Sequence, residues 1–220
     1  LRGEIKGVKK PLVVASIRAA TQATLERAAF DSSTHLLSVR DRINLGAQVR
    51  QWLDMGYSHE PTVEIPGPIS RRGGILDIFP VSRDRPVRIE LFDDEIETIR
   101  HFDPGTQRST VKIRSITIPP ARETLPRLAS EDRVQELLGA MELIGTSEEA
   151  QRRIPSDLSQ MLAGESLDEV SFYAGFFNLG NIFGYLSAES LMVVLRPGAI
   201  EEMSRSLDRR PVQLRSAKEK

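Results

Sequence analysis

An α/β frame interrupted by a β-rich insert is the architecture this sequence predicts, and three observations predict it. Two short, apolar, β-branched runs, Pro11-Leu-Val-Val-Ala-Ser16 and Leu191-Met-Val-Val-Leu195, have the composition of buried parallel strands. Between them, from Tyr57 to about Ile118, turn residues (Pro61, Pro66, Gly67, Pro68, Gly73, Gly74, Pro80, Pro86) recur at strand spacing. The segments on either side of that stretch place apolar residues at helical spacing. The frame is therefore assigned to residues 1–39 and 119–220, and the insert, with its leading helix, to residues 40–118.

Taken in order, Lys6, Lys9 and Lys10 form a solvated lead-in to the first apolar run. From Arg40 to Gly56, Ile43, Leu45, Ala47, Val49, Trp52 and Leu53 fall on one side of a helix, with Gly56 as its stop. Pro119-Pro120 closes the β-rich stretch, because consecutive prolines fix an extended connection. Ser130 can cap a helix carrying Val134, Leu137, Leu138, Met141 and Ile144. Ser147 can cap another carrying Leu158, Met161 and Leu162. An aromatic-rich segment, Phe172 to Phe183, precedes the second strand candidate.

Composition narrows the function. With 40% hydrophobic and 28% charged residues in 220, the chain is ordinary for a globular protein and not disordered or collagen-like. Thirty Lys and Arg against thirty-one Asp and Glu give a net charge of −1, against a dedicated binder of the nucleic-acid backbone. The absence of cysteine removes disulfide scaffolds, zinc fingers and thiol nucleophiles. His35, His59 and His101 are too scattered for a metal site. No apolar run approaches the roughly 20 residues that cross a bilayer and the first residues lack a signal-peptide core, so a cytoplasmic protein is expected. The ends, Leu1 and Lys220, read as cut from something longer.

Catalytic signatures are missing as well. No Gly-x-x-x-x-Gly-Lys-Ser/Thr loop is present, and the Leu191–Leu195 run leads into Arg196-Pro197-Gly198 rather than into magnesium-binding acids. Asp93-Asp94-Glu95-Ile-Glu97 reads more simply as a hairpin tip than as a magnesium site. Ser16, Ser70 and Ser82 lie in no nucleophile motif. Neither a catalytic residue nor a cofactor is expected in this chain.

One hairpin stands out. Alternation over Val87–Phe92 puts Val87, Ile89 and Leu91 on a core face and Arg88, Glu90 and Phe92 on the other. A two-residue turn at Asp93-Asp94 then sets Phe92 opposite Glu95, Glu90 opposite Glu97 and Arg88 opposite Ile99. An aromatic among charges on an outer face suits an interface, where Arg and aromatic residues dominate. Alternatively Phe92 folds over a neighbouring loop, and Arg88 and Glu90 form a solvated ion pair. For Arg71-Arg72-Gly73-Gly74, the glycines suit a turn or bulge, and the arginines are either exposed or read a carboxylate.

Three joined motifs carry a resemblance: Arg72-Gly-Gly-Ile-Leu-Asp-Ile-Phe-Pro80, Pro86-Val-Arg-Ile-Glu-Leu-Phe-Asp-Asp-Glu-Ile-Glu97 and Phe102-Asp-Pro-Gly-Thr-Gln-Arg108. With Gly56-Tyr57, Tyr185-Leu186 and the Leu191–Leu195 run, they resemble the N-terminal, UvrB-like module of bacterial transcription-repair coupling factors (Mfd) from about Pro11 to Leu207. UvrB shares the arginine-glycine and Ile-Phe-Pro core, while the Phe-Asp-Pro run and the segment after Pro120 are closer to the coupling factors. The resemblance implies a degenerate P-loop-like α/β domain interrupted by a β-rich domain that docks the damage-recognition protein UvrA. It implies UvrA contacts at Arg72, Arg88 and Phe92, with Glu90 carried over from its place between the last two. Arg196-Pro197 departs from the acidic residue more usual in the family. The RNA-polymerase-binding and double-stranded-DNA-translocating parts, with their ATP and magnesium, are implied to lie outside this chain. A fragment that binds DNA or turns over ATP, in the manner of UvrB, is the competing expectation; its support is the shared motif and the basic stretches Lys6–Lys10 and Arg205–Arg215.

Overall fold

The computed structural model describes residues 12–141, 147–165, 167 and 170–208. In chain order they form α1 (Ile17–Ala20), α2 (Arg27–Ser32), β1 (His35–Ser38) and α3 (Leu45–Asp54). The strands β2 (Ser58–His59), β3 (Pro68–Arg72), β4 (Ile75–Ile78), β5 (Val87–Phe92), β6 (Glu95–Phe102), β7 (Ser109–Ile113) and β8 (Ser115–Ile118) follow. The helices α4 (Glu131–Ala140), α5 (Glu148–Ala163), α6 (Ala174–Phe177) and α7 (Pro197–Asp208) come after them. The class is mixed α/β with a β-rich centre, as the sequence predicts. Two units result, one built on residues 23–180 and one on the described residues of 4–22 and 181–220.

The larger unit is organised by a six-stranded sheet of order β2-β3-β4-β5-β6-β7, antiparallel except for the short β2–β3 pair. Its inner face presents Ile69, Leu76, Ile78, Val87, Ile89, Ile96 and Ile99, all fully buried. These pack against Trp52 and Met55 from the α3 region, Tyr57, and Leu37, Ile116 and Ile118 from the separate β1–β8 ribbon. Covering only one face is the usual state of an antiparallel sheet and leaves the other free to carry polar residues. Tyr57 donates its hydroxyl to the Pro119 carbonyl at 2.8 Å, tying the proline pair to this core. Burial pushes the Tyr57 phenol well above its ordinary range.

Helix α3 is shorter than the predicted Arg40–Gly56. Asn44 accepts from the Ala47 amide at 2.9 Å and caps it, while residues 40–43 run along the start of β6 instead. The Arg40 amide donates to the Ile96 carbonyl, the Ile43 amide to Asp94, and the Ile96 amide to Asp41. Gly56, with φ +87°, does mark the stop. Beneath α3, the buried Gln48 side chain donates to His35 Nδ1 at 3.0 Å. Burial lowers the His35 pKa from its ordinary 6.5, so between the folded and unfolded values the unfolded chain binds the extra proton. Stability is therefore expected to be complete above about pH 6.5 and to decline as the pH falls below it. Urea midpoints measured from pH 7.5 to 5 should show that slope, and His35→Gln should flatten it.

A second core in the same unit joins Val134, Ile154, Leu158, Met161, Tyr173 and Phe177. Ser130 and Ser147 cap α4 and α5 as the sequence predicts, each accepting from the backbone amide three residues on. Met141 is only the partly exposed C-cap of α4.

In the smaller unit, the two apolar runs are not strands. Residues 12–16 and 191–195 carry no regular structure, and Leu12, Val13, Val14, Leu191, Met192, Val193, Val194 and Leu195 are exposed. A strand needs hydrogen-bonded neighbours and an apolar face to cover it, and the described residues of this unit offer no sheet to either run. Pro11, Lys6 to Lys10, Ile144 and residues 209–215, on which other expectations rest, lie outside the described residues. Among the described residues, no helix is long and apolar enough to cross a membrane.

Candidate functional site: the outer face of the sheet

Strand register sets which side chains share the outer face, the one turned away from the main core. Ser70, Asp77, Arg88, Arg100 and Lys112 pair in one row across β3 to β7, and Arg72, Ile75, Glu90 and Thr98 in the next. At one end, Val63, Phe79 and Phe102 form a small buried cluster over this face. At the other end the face is open, and there Phe92 is 77% exposed. The alternation placed Arg88, Glu90 and Phe92 together correctly, and Phe92 folds over no loop.

The opposition of Glu90 and Glu97 is not what forms. A register shift between Glu90 and Leu91 sets Leu91 opposite Ile96 but Glu90 opposite Thr98 and Arg88 opposite Arg100, leaving Glu97 as the surplus residue of a β-bulge. The bulge brings both Ile96 and Ile99, three residues apart, onto the core side. It also replaces a carboxylate by a hydroxyl: Thr98 donates to Glu90 Oε2 at 2.6 Å. Arg100, 3.7 Å from Glu90, is the cation that balances it. Asp93 and Asp94 do form the turn, with Phe92 opposite Glu95.

The feature that sequence reasoning missed is Asp77. Its side chain is 1% exposed and sits in β4 between Leu76 and Ile78. Arg88, 14% exposed, clamps it with two bonds, Nε to Oδ1 at 2.7 Å and Nη2 to Oδ2 at 2.9 Å. The third nitrogen, Nη1, donates to the Gln107 carbonyl at 3.2 Å, and the guanidinium carbon lies 4.9 Å from the centre of the Phe102 ring. Bonding to Asp77 raises the Arg88 pKa further, against the opposing effect of burial, with the charges of Asp77 and Glu90 adding to it. Arg72 reaches the same carboxylate, Nη2 to Oδ2 at 2.6 Å, while remaining 52% exposed. The solvated Arg88–Glu90 pair is thus replaced by a buried, bidentate Arg88–Asp77 pair. An acid inside the otherwise apolar Ile75–Ile78 strand was the available signal.

The glycines of the β3–β4 turn have separate reasons. Gly73 takes φ +59°, and a Cβ on Gly74 would lie 3.0 Å from the Leu91 carbonyl, beside the hydrogen bond from the Leu91 amide to the Gly74 carbonyl. Gly73→Ala is expected to lower stability by about 1–2 kcal/mol, the cost of a left-handed residue with a side chain, read as a lower urea midpoint. The third motif is structural as well: the Gln107 side-chain amide donates to the Pro104 carbonyl at 2.6 Å, while the Gln107 backbone carbonyl holds Arg88.

Chemically, this face offers an exposed aromatic, a half-exposed guanidinium and a fixed ion pair. Among the described residues no three His, Asp or Glu side chains converge as they would on a metal ion, the acidic tip included.

Residues 36–123, which contain every residue of this face, match the UvrB interaction domain family. The chain is similar to the transcription-repair-coupling factor of Bacillus subtilis, 29% identical over 209 residues, 90% of this chain and 18% of the relative. It is 37% identical over 120 residues to that of Myxococcus xanthus, covering 54% of this chain and 10% of the relative. It is 44% identical over 87 residues to that of Staphylococcus aureus, covering 40% of this chain and 7% of the relative. The chain thus spans less than a fifth of the length of these relatives.

Proposed function

We propose that this chain, similar to the UvrB interaction domain and to transcription-repair-coupling factors, has a protein-docking function: the outer face of β3 to β5 binds UvrA. The single observation that carries this reading is Phe92, a large aromatic left 77% exposed on the face that also carries the Arg88–Asp77 pair. Exposed aromatics next to arginine are the anchors on which protein interfaces concentrate their energy. Arg72 and Phe92 meet the partner, and Arg88 and Glu90 lie between them, each bonded within the sheet. By strand spacing and rise, the Cα of Phe92 lies about 12 Å from that of Arg72. The complementary surface is then an apolar pocket with a carboxylate at that separation.

In the longer relatives, such a face would bring UvrA to lesions where RNA polymerase has stalled, in the bacterial cytoplasm. The chain itself is not catalytic in this reading. In this reading, any role of ATP, magnesium, RNA polymerase or double-stranded DNA belongs to other parts of the longer proteins. The test is a titration of purified UvrA against the chain, its Arg72→Ala variant and its Phe92→Ala variant. A saturable complex weakened by both substitutions is expected, and equal affinity in all three would sink the proposal. Salt-dependent binding to duplex DNA, or ATP turnover by the chain, would instead favour a UvrB-type nucleic-acid fragment.

A further inference from the structure

Arg72 and Arg88 share one carboxylate but differ in what remains available to a partner. Every nitrogen of Arg88 is bonded, Nε and Nη2 to Asp77 and Nη1 to the Gln107 carbonyl, and the side chain is 14% exposed. Its face lies against Phe102. Arg72 spends one nitrogen on Asp77 and is 52% exposed, so most of its five N–H donors face solvent. Asp77 is the link between them: Oδ2 accepts from both arginines and Oδ1 from Arg88. Without Asp77, Arg72 is a long side chain on the exposed end of β3 that must lose rotamer freedom on meeting a partner. With it, that ordering is complete before docking.

We propose that Asp77 is a positioning residue of the docking face: clamped by Arg88, it holds Arg72 in place to meet a carboxylate of UvrA, while Arg88 acts only through the clamp. The inference rests on the docking reading, and its test separates the two. UvrA affinity is measured for the chain, Arg72→Ala, Asp77→Asn and the double variant, with Phe92→Ala alongside. Arg72→Ala and Asp77→Asn should each weaken binding by about tenfold, the scale of a charge-assisted hydrogen bond. The double variant should bind no more weakly than Arg72→Ala, because Asp77 then has nothing left to position.

A general loosening of the sheet would lower affinity again in the Arg72→Ala background, so losses that multiply overturn the proposal. Parental affinity for Asp77→Asn overturns it too. Should Asp77→Asn fail to fold, Asp77→Leu combined with Arg88→Met removes both buried charges together and keeps the volume apolar. That variant should bind about tenfold more weakly than the parent, and parental affinity would overturn the clamp. Failure of the docking reading itself looks different: Arg72→Ala and Phe92→Ala would both leave UvrA affinity unchanged.

Discussion

Phe92→Ala is expected to weaken UvrA binding by about thirtyfold or more while leaving the thermal midpoint where it was. The binding loss follows from removing the anchor of an interface, a truncation that costs about 2 kcal/mol or more. The unchanged stability follows from exposure: at 77% accessible, the ring contributes little to the folded state that it does not also have in the unfolded chain. A surface substitution of this kind moves stability by no more than about 0.5 kcal/mol. Isothermal titration with UvrA and a melting curve on the same preparation check both halves.

Arg88→Ala should behave in the opposite sense and damage the fold first. The substitution leaves the Asp77 carboxylate buried at 1% exposure with only the half-exposed Arg72 against it. Removing one partner of a buried ion pair costs about 3–5 kcal/mol, a large part of the roughly 5–15 kcal/mol that holds a domain together. The midpoint should fall by roughly 10 °C. Phe102 also loses the guanidinium that lies over its ring, and the Gln107 carbonyl loses its donor. Replacing the pair together, Arg88→Met with Asp77→Leu, should recover most of that stability, since apolar residues of similar volume need no compensating charge. Urea denaturation of the single and paired variants decides it. A single variant as stable as the parent would show that the clamp is energetically idle.

The contrast between these two residues also shows what one strand of sequence can convey. Alternation over Val87–Phe92 was enough to separate core from surface, because side-chain direction along a strand is a local property. Who pairs with whom across strands is not local. The Arg88–Asp77 clamp depends on the β4–β5 register, set by the β3–β4 and β4–β5 connections together, and the bulge at Glu97 shifts the β5–β6 register by one residue. A turn of two residues at Asp93-Asp94 gives no hint of that bulge, and by itself it sets Glu90 opposite Glu97 rather than Thr98. Helix starts at Ser130 and Ser147 were legible because a cap acts within three residues. The apolar runs at 11–16 and 191–195 have the composition of strands, and composition does not supply the neighbouring strands that such a segment needs.

The claim that UvrA covers the outer face can be tested at the residue that carries it. Hydroxyl-radical footprinting reads the modification rate of an aromatic ring directly, and Phe92 starts from high accessibility while Phe79 and Phe102 are buried internal standards. Adding UvrA to saturation is predicted to suppress modification of Phe92 several-fold and to leave Phe79 and Phe102 unchanged. A complex that forms with Phe92 still modified at its free rate would contradict the account, because UvrA would then be docked somewhere else.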